Sequence, residues 1–538
     1  MAGTRRWVVV MALMVPGALC GAVRVETGQL SGVLGTNREI TVYRGIPYAA
    51  PPVGEFRWRD PRPAQRWEGI RKANHFSNSC MQSGNTLQEI QTRLEERRSP
   101  FPPQFYAWKE PRSEDCLYLN VWTGAKSPSE RRPVLVWLHG GGFMQGSGAL
   151  PIYDGEGLAA KGLVVVTINY RLGIFGFFVH PELTRESGHN ASGNYGLMDQ
   201  IAALEWVHRN IAAFGGDPNN VTIDGQSAGA HSVCYLIASP RAKGLFQRAI
   251  AQSGGMFMPS ALAGGLSSGG TPTLKETEPE GAKCGRNLQA DSLAALRAKP
   301  AVQLLGLNAP ARPVVDGYIL PADIYSIFAG GHQNDVPVVI GWNSGDGTVF
   351  EANSRMPETV EGFVQEAGRR FGSMAHQFLD IFPVNTGVDA ARMRSAIARD
   401  MMFAWQARTW ARLQSRTGKS KAYLFYFDLI PPGRREFAIF GAHHSAEIVY
   451  ALNNLRTWDL PWTSQDRKVA AAMSGYWVNF ARTGDPNGSD LPAWPSFAAG
   501  TPRSLEFGDK LAAIATPQKA ELDFFDAWFA KQRESRQR

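Results

Sequence analysis

Two stretches of this chain, Pro133–Leu138 (PVLVWL) and Leu163–Asn169 (LVVVTIN), are apolar without alternation. A strand wetted on one face alternates apolar and polar residues. A continuous apolar run must be covered on both faces, which places these strands inside a parallel sheet sheathed by helices. Leu197–Phe214 follows at helical period, with Leu197, Ile201, Leu204, Val207, His208 and Ile211 near one face. Next come a strand at Val221–Asp224, a turn, and a helix from Ser227 to about Ala238, stopped by Pro240. A further short strand precedes Ser253, and Val336–Ile340 is another. Strands alternating with helices predict an α/β architecture around a large, mostly parallel sheet.

Residues 254–281, rich in Gly, Ser, Pro and Thr, read as a surface loop. Glu361–Gln414 is helical in pattern, and its position predicts a cap over the site, spanning about 355–420. With no internal repeat and no convincing linker, residues 23–538 read as a single domain despite their number.

The N-terminus has a different character. Arg5 and Arg6 precede an apolar run from Trp7 to Leu19, followed by Cys20, Gly21 and Ala22. A charged start, a short apolar core and a small-residue exit describe an export signal, with cleavage expected near Ala22 and a secreted or periplasmic address. Thr4-Arg5-Arg6 also resembles a twin-arginine start; Cys20 fits a lipidated cysteine poorly, because Leu19 stands where a small residue belongs. Loss of residues 1–22 lowers the formal charge from +8 to +6. No Lys/Arg cluster marks a nucleic-acid surface, and the basic tail Lys531–Arg538 reads as a solvated helix end. No later run is long and apolar enough to span a membrane.

Gly225-Gln226-Ser227-Ala228-Gly229 fits the G-x-S-x-G nucleophile elbow. A serine on a sharp strand-to-helix turn is exposed to substrate, flanking glycines let the backbone pass, and the helix start aims N–H groups at a developing oxyanion. Gly265-Leu266-Ser267-Ser268-Gly269 matches the same pattern but lies in the glycine-rich loop with neither strand nor helix, so Ser267 is a decoy. Upstream, His139-Gly140-Gly141-Gly142-Phe143 follows a strand, as does the HGGG-type loop that supplies oxyanion donors. The expected donors are the N–H groups of Gly141, Gly142 and Ala228.

Phe214-Gly215-Gly216-Asp217-Pro218-Asn219-Asn220-Val221-Thr222-Ile223-Asp224 running into the elbow resembles the active-site signature of type-B carboxylesterases, relatives of the cholinesterases. Ser113-Glu114-Asp115-Cys116-Leu117-Tyr118-Leu119-Asn120 is similar to that family's second signature, and Gly45–Ala49 and Asn479–Pro486 are similar too. The resemblance covers nearly the whole chain after the leader. It implies the α/β-hydrolase fold, hydrolysis of carboxylic esters without metal or organic cofactor, and a bond between Cys80 and Cys116, a pairing that export also favours. Cys234 reads as a small buried hydrophobe, and Cys284 as free or paired with Cys234.

An α/β-hydrolase triad runs serine, acid, histidine. Of ten histidines, His376, His443 and His444 follow any acid that lies beyond strand Val336–Ile340. His376 falls in the helical segment and reads as structural. Gly441-Ala442-His443-His444-Ser445-Ala446-Glu447 resembles the family's G-x-x-H-G-x-E, whose register picks His444 over His443, with Ser445 in place of the family glycine. Gly341–Gly347 is similar to the family's D-E-G loop and puts Asp346 where glutamate is usual. Glu351 is the alternative acid; Asp316 and Asp199 read as structural. Gln226 replaces a glutamate common beside the family serine, which argues against a quaternary-ammonium substrate. Ser253 matches a serine that lies behind the triad in the family and is given a supporting role.

These residues predict acyl transfer through Ser227, with His444 as base and Asp346 orienting it. The expected substrate is a small-molecule ester; the positive balance permits an acidic or polycarboxylate acid as readily as an aliphatic one. A catalytically silent adhesion relative and an interfacial lipase are the competing readings.

Overall fold

The computed structural model describes residues 22–83, 110–259, 270–290, 292–433 and 435–537. The expected leader therefore lies outside the described residues apart from Ala22, as does Ser267.

Eleven strands form the main sheet. In chain order they are β1 (Val33–Leu34), β2 (Thr41–Pro47), β3 (Tyr118–Thr123), β4 (Arg132–Leu138), β5 (Val164–Ile168), β6 (Gly216–Gln226), β7 (Arg248–Gln252), β8 (Val338–Asn343), β9 (Ala422–Phe427), β10 (Arg503–Phe507) and β11 (Leu511–Ala515). Their spatial order is β11-β10-β9-β8-β7-β6-β4-β5-β3-β2-β1. From β5 through β4 to β10 every neighbouring pair is parallel, and the antiparallel pairs lie at the two ends. The predicted runs Pro133–Leu138 and Val221–Asp224 fall inside β4 and β6; Leu163–Asn169 overruns β5 by one residue at each end, and β8 starts two residues later than Val336–Ile340 and extends to Asn343.

The continuous apolar runs have the predicted cause. In β4, Val134, Val136 and Leu138 enter one apolar layer, while Leu135 and Trp137 enter another on the opposite face. β5 divides likewise, with Val164, Val166 and Ile168 against Val165. Both faces are dry, so both residue parities must be apolar.

Helix α1 (Tyr195–Asn210) covers the first layer and closes in a short 3₁₀ turn at Ile211–Phe214. Its predicted inward face is buried except at His208, which is exposed; Trp206, left off that face, is buried instead. Helix α2 (Ala228–Ala238) is buried along its whole length. The helical segment expected between 355 and 420 contains α3 (Val360–Phe371), α4 (Gly387–Arg399), a π-helical turn at Asp400–Ala404 and α5 (Trp405–Thr417). α5 packs against β8 and β9, so this last part covers the sheet itself.

Chain order and space diverge at one place that matters. From β4 the chain moves to β5 on one side and then returns to β6 on the other. The carboxyl ends of β4 and β6 thus flank a crevice at the switch point of the sheet, where open α/β sheets bind ligands. The glycine loop leaves β4 there, and Ser227 leaves β6.

Candidate active site

Ser227 sits between β6 and α2 with φ 57° and ψ −122°, a conformation that costs a non-glycine residue roughly 1–3 kcal/mol. The structure holds it there through two backbone bonds, Ser227 N–H to Gln252 O and His231 N–H to Ser227 O, both 2.9 Å. Gly229 has to be glycine, because a Cβ there would overlap the carbonyl oxygen of Leu138 at the end of β4. That close approach draws the head of α2 against the glycine loop.

The loop turns through left-handed backbone at Gly141 (φ 107°), Gly142 (φ 64°) and Phe143 (φ 62°). No acceptor among the described residues takes the N–H of Gly141 or of Gly142. The N–H of Ala228, first in its helix, has no intrahelical acceptor. Gly140 faces the elbow closely: a Cβ on it would stand 3.2 Å from Ser227 Cβ. His139 is buried, stacks on Tyr170 at 4.3 Å and is pushed down to about 4 by burial. It anchors the loop as a neutral ring.

Asp346 and His444 meet as the sequence register predicts, Nδ1 of the imidazole standing 2.7 Å from Oδ1. Both are buried. Oδ2 of Asp346 accepts from Ser253 Oγ at 2.9 Å and from Asn343 N–H at 2.7 Å. The one-carbon-shorter acid is thus met by a turn that folds back on the end of β8, with the Asn343 N–H clamping it. With Nδ1–H directed at the carboxylate, Nε2 carries the free lone pair. The Gln226 amide nitrogen stands 3.2 Å from Nε2 and 3.5 Å from Nδ1. A point nearly equidistant from both nitrogens lies off the Cε1 side or face of the ring, so the in-plane direction of the Nε2 lone pair stays clear of it.

The other candidates lie elsewhere. His376 is exposed and pairs with Asp380. His443 is buried beside the site, bonds through Nδ1 to His444 O, and is pushed down to about 4 by burial. Glu351 is exposed on a 3₁₀ turn. Asp316 caps the N–H groups of Tyr318, Ile319 and Leu320, and Asp199 forms a buried pair with Arg171. Ser445, in place of the family glycine, keeps a left-handed backbone at φ 71°. Cys80 and Cys116 are joined in a disulfide, while Cys234 and Cys284 are free thiols. No group of His, Cys, Asp and Glu among the described residues is arranged to hold a metal ion, and no described helix is long and apolar enough to cross a membrane.

Sequence reasoning missed three sets of neighbours. Phe350 and Phe403 pack on the His444 ring, with centroids at 4.9 and 4.8 Å. Phe403 rides on the π-helical turn, a local irregularity that often accompanies functional sites. Behind the acid, Asn343 Nδ2 donates to Glu447 Oε2 at 2.5 Å and to His443 O at 2.9 Å. Burial, with Asp346 nearby, pushes the Glu447 carboxyl up to about 8, so it is largely protonated at neutral pH. The glutamate of the G-x-x-H-G-x-E pattern was the available signal for it. The third neighbour is His231, one helical turn beyond Ser227.

A family model described as the carboxylesterase family matches residues 20–525. The fumonisin B1 esterase of Sphingopyxis macrogoltabida is 35% identical over 495 residues, covering 88% of this chain and 84% of that one. The para-nitrobenzyl esterase of Bacillus subtilis (strain 168) is 32% identical over 509 residues, covering 92% and 97%. Human bile salt-activated lipase is 32% identical over 556 residues, covering 95% and 69%. A solved structure of a PNB esterase superposes with a TM-score of 0.75 at 29% identity, covering 94% of this chain and 99% of that one. With the α/β-hydrolase sheet and these matches extending over nearly its full length, the chain belongs to the carboxylesterase family and is a serine hydrolase of carboxylic esters.

Proposed function

We propose that Ser227 is the nucleophile, His444 the general base and Asp346 the residue that orients it. The observation that carries this reading is the 2.7 Å contact between His444 Nδ1 and Asp346 Oδ1, made against the side chain of Gln226, the residue before the strained Ser227. His444 Nε2 takes the hydroxyl proton as Ser227 Oγ attacks the ester carbonyl carbon. The carbonyl oxygen, now an anion, accepts from the N–H groups of Gly141, Gly142 and Ala228, each worth about 3–4 kcal/mol in the transition state. His444 returns the proton to the departing alcohol. Water then attacks the acyl-enzyme by the same route and releases the acid. Ser253 and Gln226 support the acid and the base.

The substrate in this reading is a small ester with an acidic or polycarboxylate acid component. The net positive balance of the chain supports that class through electrostatic steering. Residues 23–538 act as one catalytic unit, with part of the 355–420 segment as its cap. Export through the leader, to periplasm or medium, is supported by the charged-then-apolar N-terminus and by the Cys80–Cys116 disulfide.

Ser227→Ala tests the assignment: hydrolysis of a p-nitrophenyl ester should fall to background, and an organophosphonate should label the wild-type chain at Ser227 alone. Near-normal turnover by the variant would overturn the reading. An unlabelled, inactive wild-type protein would point to an adhesion module instead.

A further inference from the structure

His231 lies on α2 with 3% of its surface exposed, and neither ring nitrogen has a hydrogen-bond partner among the described residues. Its backbone N–H bonds to Ser227 O, so its side chain belongs to the same end of the helix as the nucleophile. Burial, with His444 nearby, pushes the imidazole down to about 3. It is a neutral ring carrying one donor and one acceptor.

Two parts of the site close around it. The Phe143 ring, at the end of the glycine loop, is 6.2 Å away between centroids. A Cβ on Gly254 would stand 3.0 Å from His231 Cδ2 and 2.9 Å from Ser227 O. The imidazole therefore sits under the elbow, between the glycine loop and the Ser253–Gly254 turn. A polar group left unpaired in such a place is a net cost to folding, whereas leucine would fill the same space without that loss.

We propose that His231 determines substrate specificity, its ring N–H donating to an oxygen acceptor carried on the acyl chain of the ester. The acyl side is favoured because the acyl group remains bonded to Ser227, above the helix that bears His231, while the alcohol departs toward the proton on His444. The recognised group is a carboxylate or carbonyl oxygen beyond the scissile carbonyl. This rests on Ser227 being the nucleophile and gives the acidic-ester reading a recognition residue.

The test compares p-nitrophenyl valerate with the mono-p-nitrophenyl ester of glutaric acid, which replaces the terminal methyl by carboxylate. In His231→Leu the glutarate-to-valerate ratio of kcat/KM should fall at least ~10-fold. His231→Gln, which keeps an N–H, should recover most of the ratio. An equal loss on both esters, or an unchanged ratio, overturns the proposal. Should the leucine variant fail to fold, inhibition of the wild-type enzyme decides: glutarate must inhibit at least ~10-fold better than valerate, and equal inhibition is fatal. Wild-type turnover of neither ester would instead strike the nucleophile assignment, and this proposal with it.

Discussion

Ser253 Oγ donates to Asp346 Oδ2 at 2.9 Å, on the carboxylate oxygen that His444 does not use. Together with the Asn343 N–H on the same oxygen, it fixes the carboxylate so that Oδ1 points at the imidazole. A group held from behind in this way orients its partner with little freedom to swing.

Asp346→Asn should therefore keep the fold and lose about 10³–10⁴-fold in kcat, because an amide does not hold the imidazole in the required tautomer. Ser253→Ala removes one of two rear contacts and should cost about 3–10-fold in kcat with KM unchanged. Steady-state kinetics on a p-nitrophenyl ester measure both. A fully active asparagine variant would exclude Asp346 as the orienting acid.

The Gln226 amide touches the imidazole but carries no charge. Gln226→Glu puts a carboxylate at that contact and favours imidazolium, which cannot accept the serine proton. The acid limb of the kcat/KM profile should move up by about one pH unit, while Gln226→Met leaves it in place. An unmoved limb in the glutamate variant would show that this side chain does not act on the base.

Two buried carboxyls give the protein an unusual pH response. Burial raises Glu447 from 4.5 to about 8 and Asp224 from 3.8 to about 7. The folded chain then holds protons that the unfolded chain has released, so stability is full below about pH 4 as far as these groups are concerned, and declines as pH rises toward 8. Urea midpoints at pH 5.5 and 8.5 should show that loss for wild type, and a smaller one for Glu447→Gln. A steeper decline in the variant would contradict the protonated assignment.

Ser445 occupies left-handed backbone that glycine adopts without steric cost. Ser445→Gly removes about 1–2 kcal/mol of strain, partly offset by the greater freedom glycine gives the unfolded chain. The expected net gain is up to ~1 kcal/mol, seen as a higher Tm with kcat within twofold of wild type. A lower Tm would mean that the hydroxyl contributes to the loop.

The parts of the site legible in the sequence are those with local rules. The elbow is a strand, a turn and a helix in immediate succession, and β4 declares its two covered faces through Val134, Leu135, Val136 and Trp137. Phe350 and Phe403 obey no such rule: they are 94 and 41 residues from His444, and only the sheet brings them to its ring. α5 was indistinguishable from a lid helix because amphipathic period reports a buried face without saying what buries it. Glu447 and His231 were hidden for the opposite reason. Glu447 stands in the G-x-x-H-G-x-E pattern, but that pattern does not record the burial beside Asp346 that keeps it protonated; the His231 ring has no hydrogen-bond partner among the described residues, and no pattern along the chain records that.

The Cys80–Cys116 link makes the chain between those positions a closed ring. A protease nick anywhere within it would leave β2, on the N-terminal side, covalently attached to β3, its antiparallel neighbour in the sheet. Damage there would stay invisible on a gel until a reductant parted the two pieces.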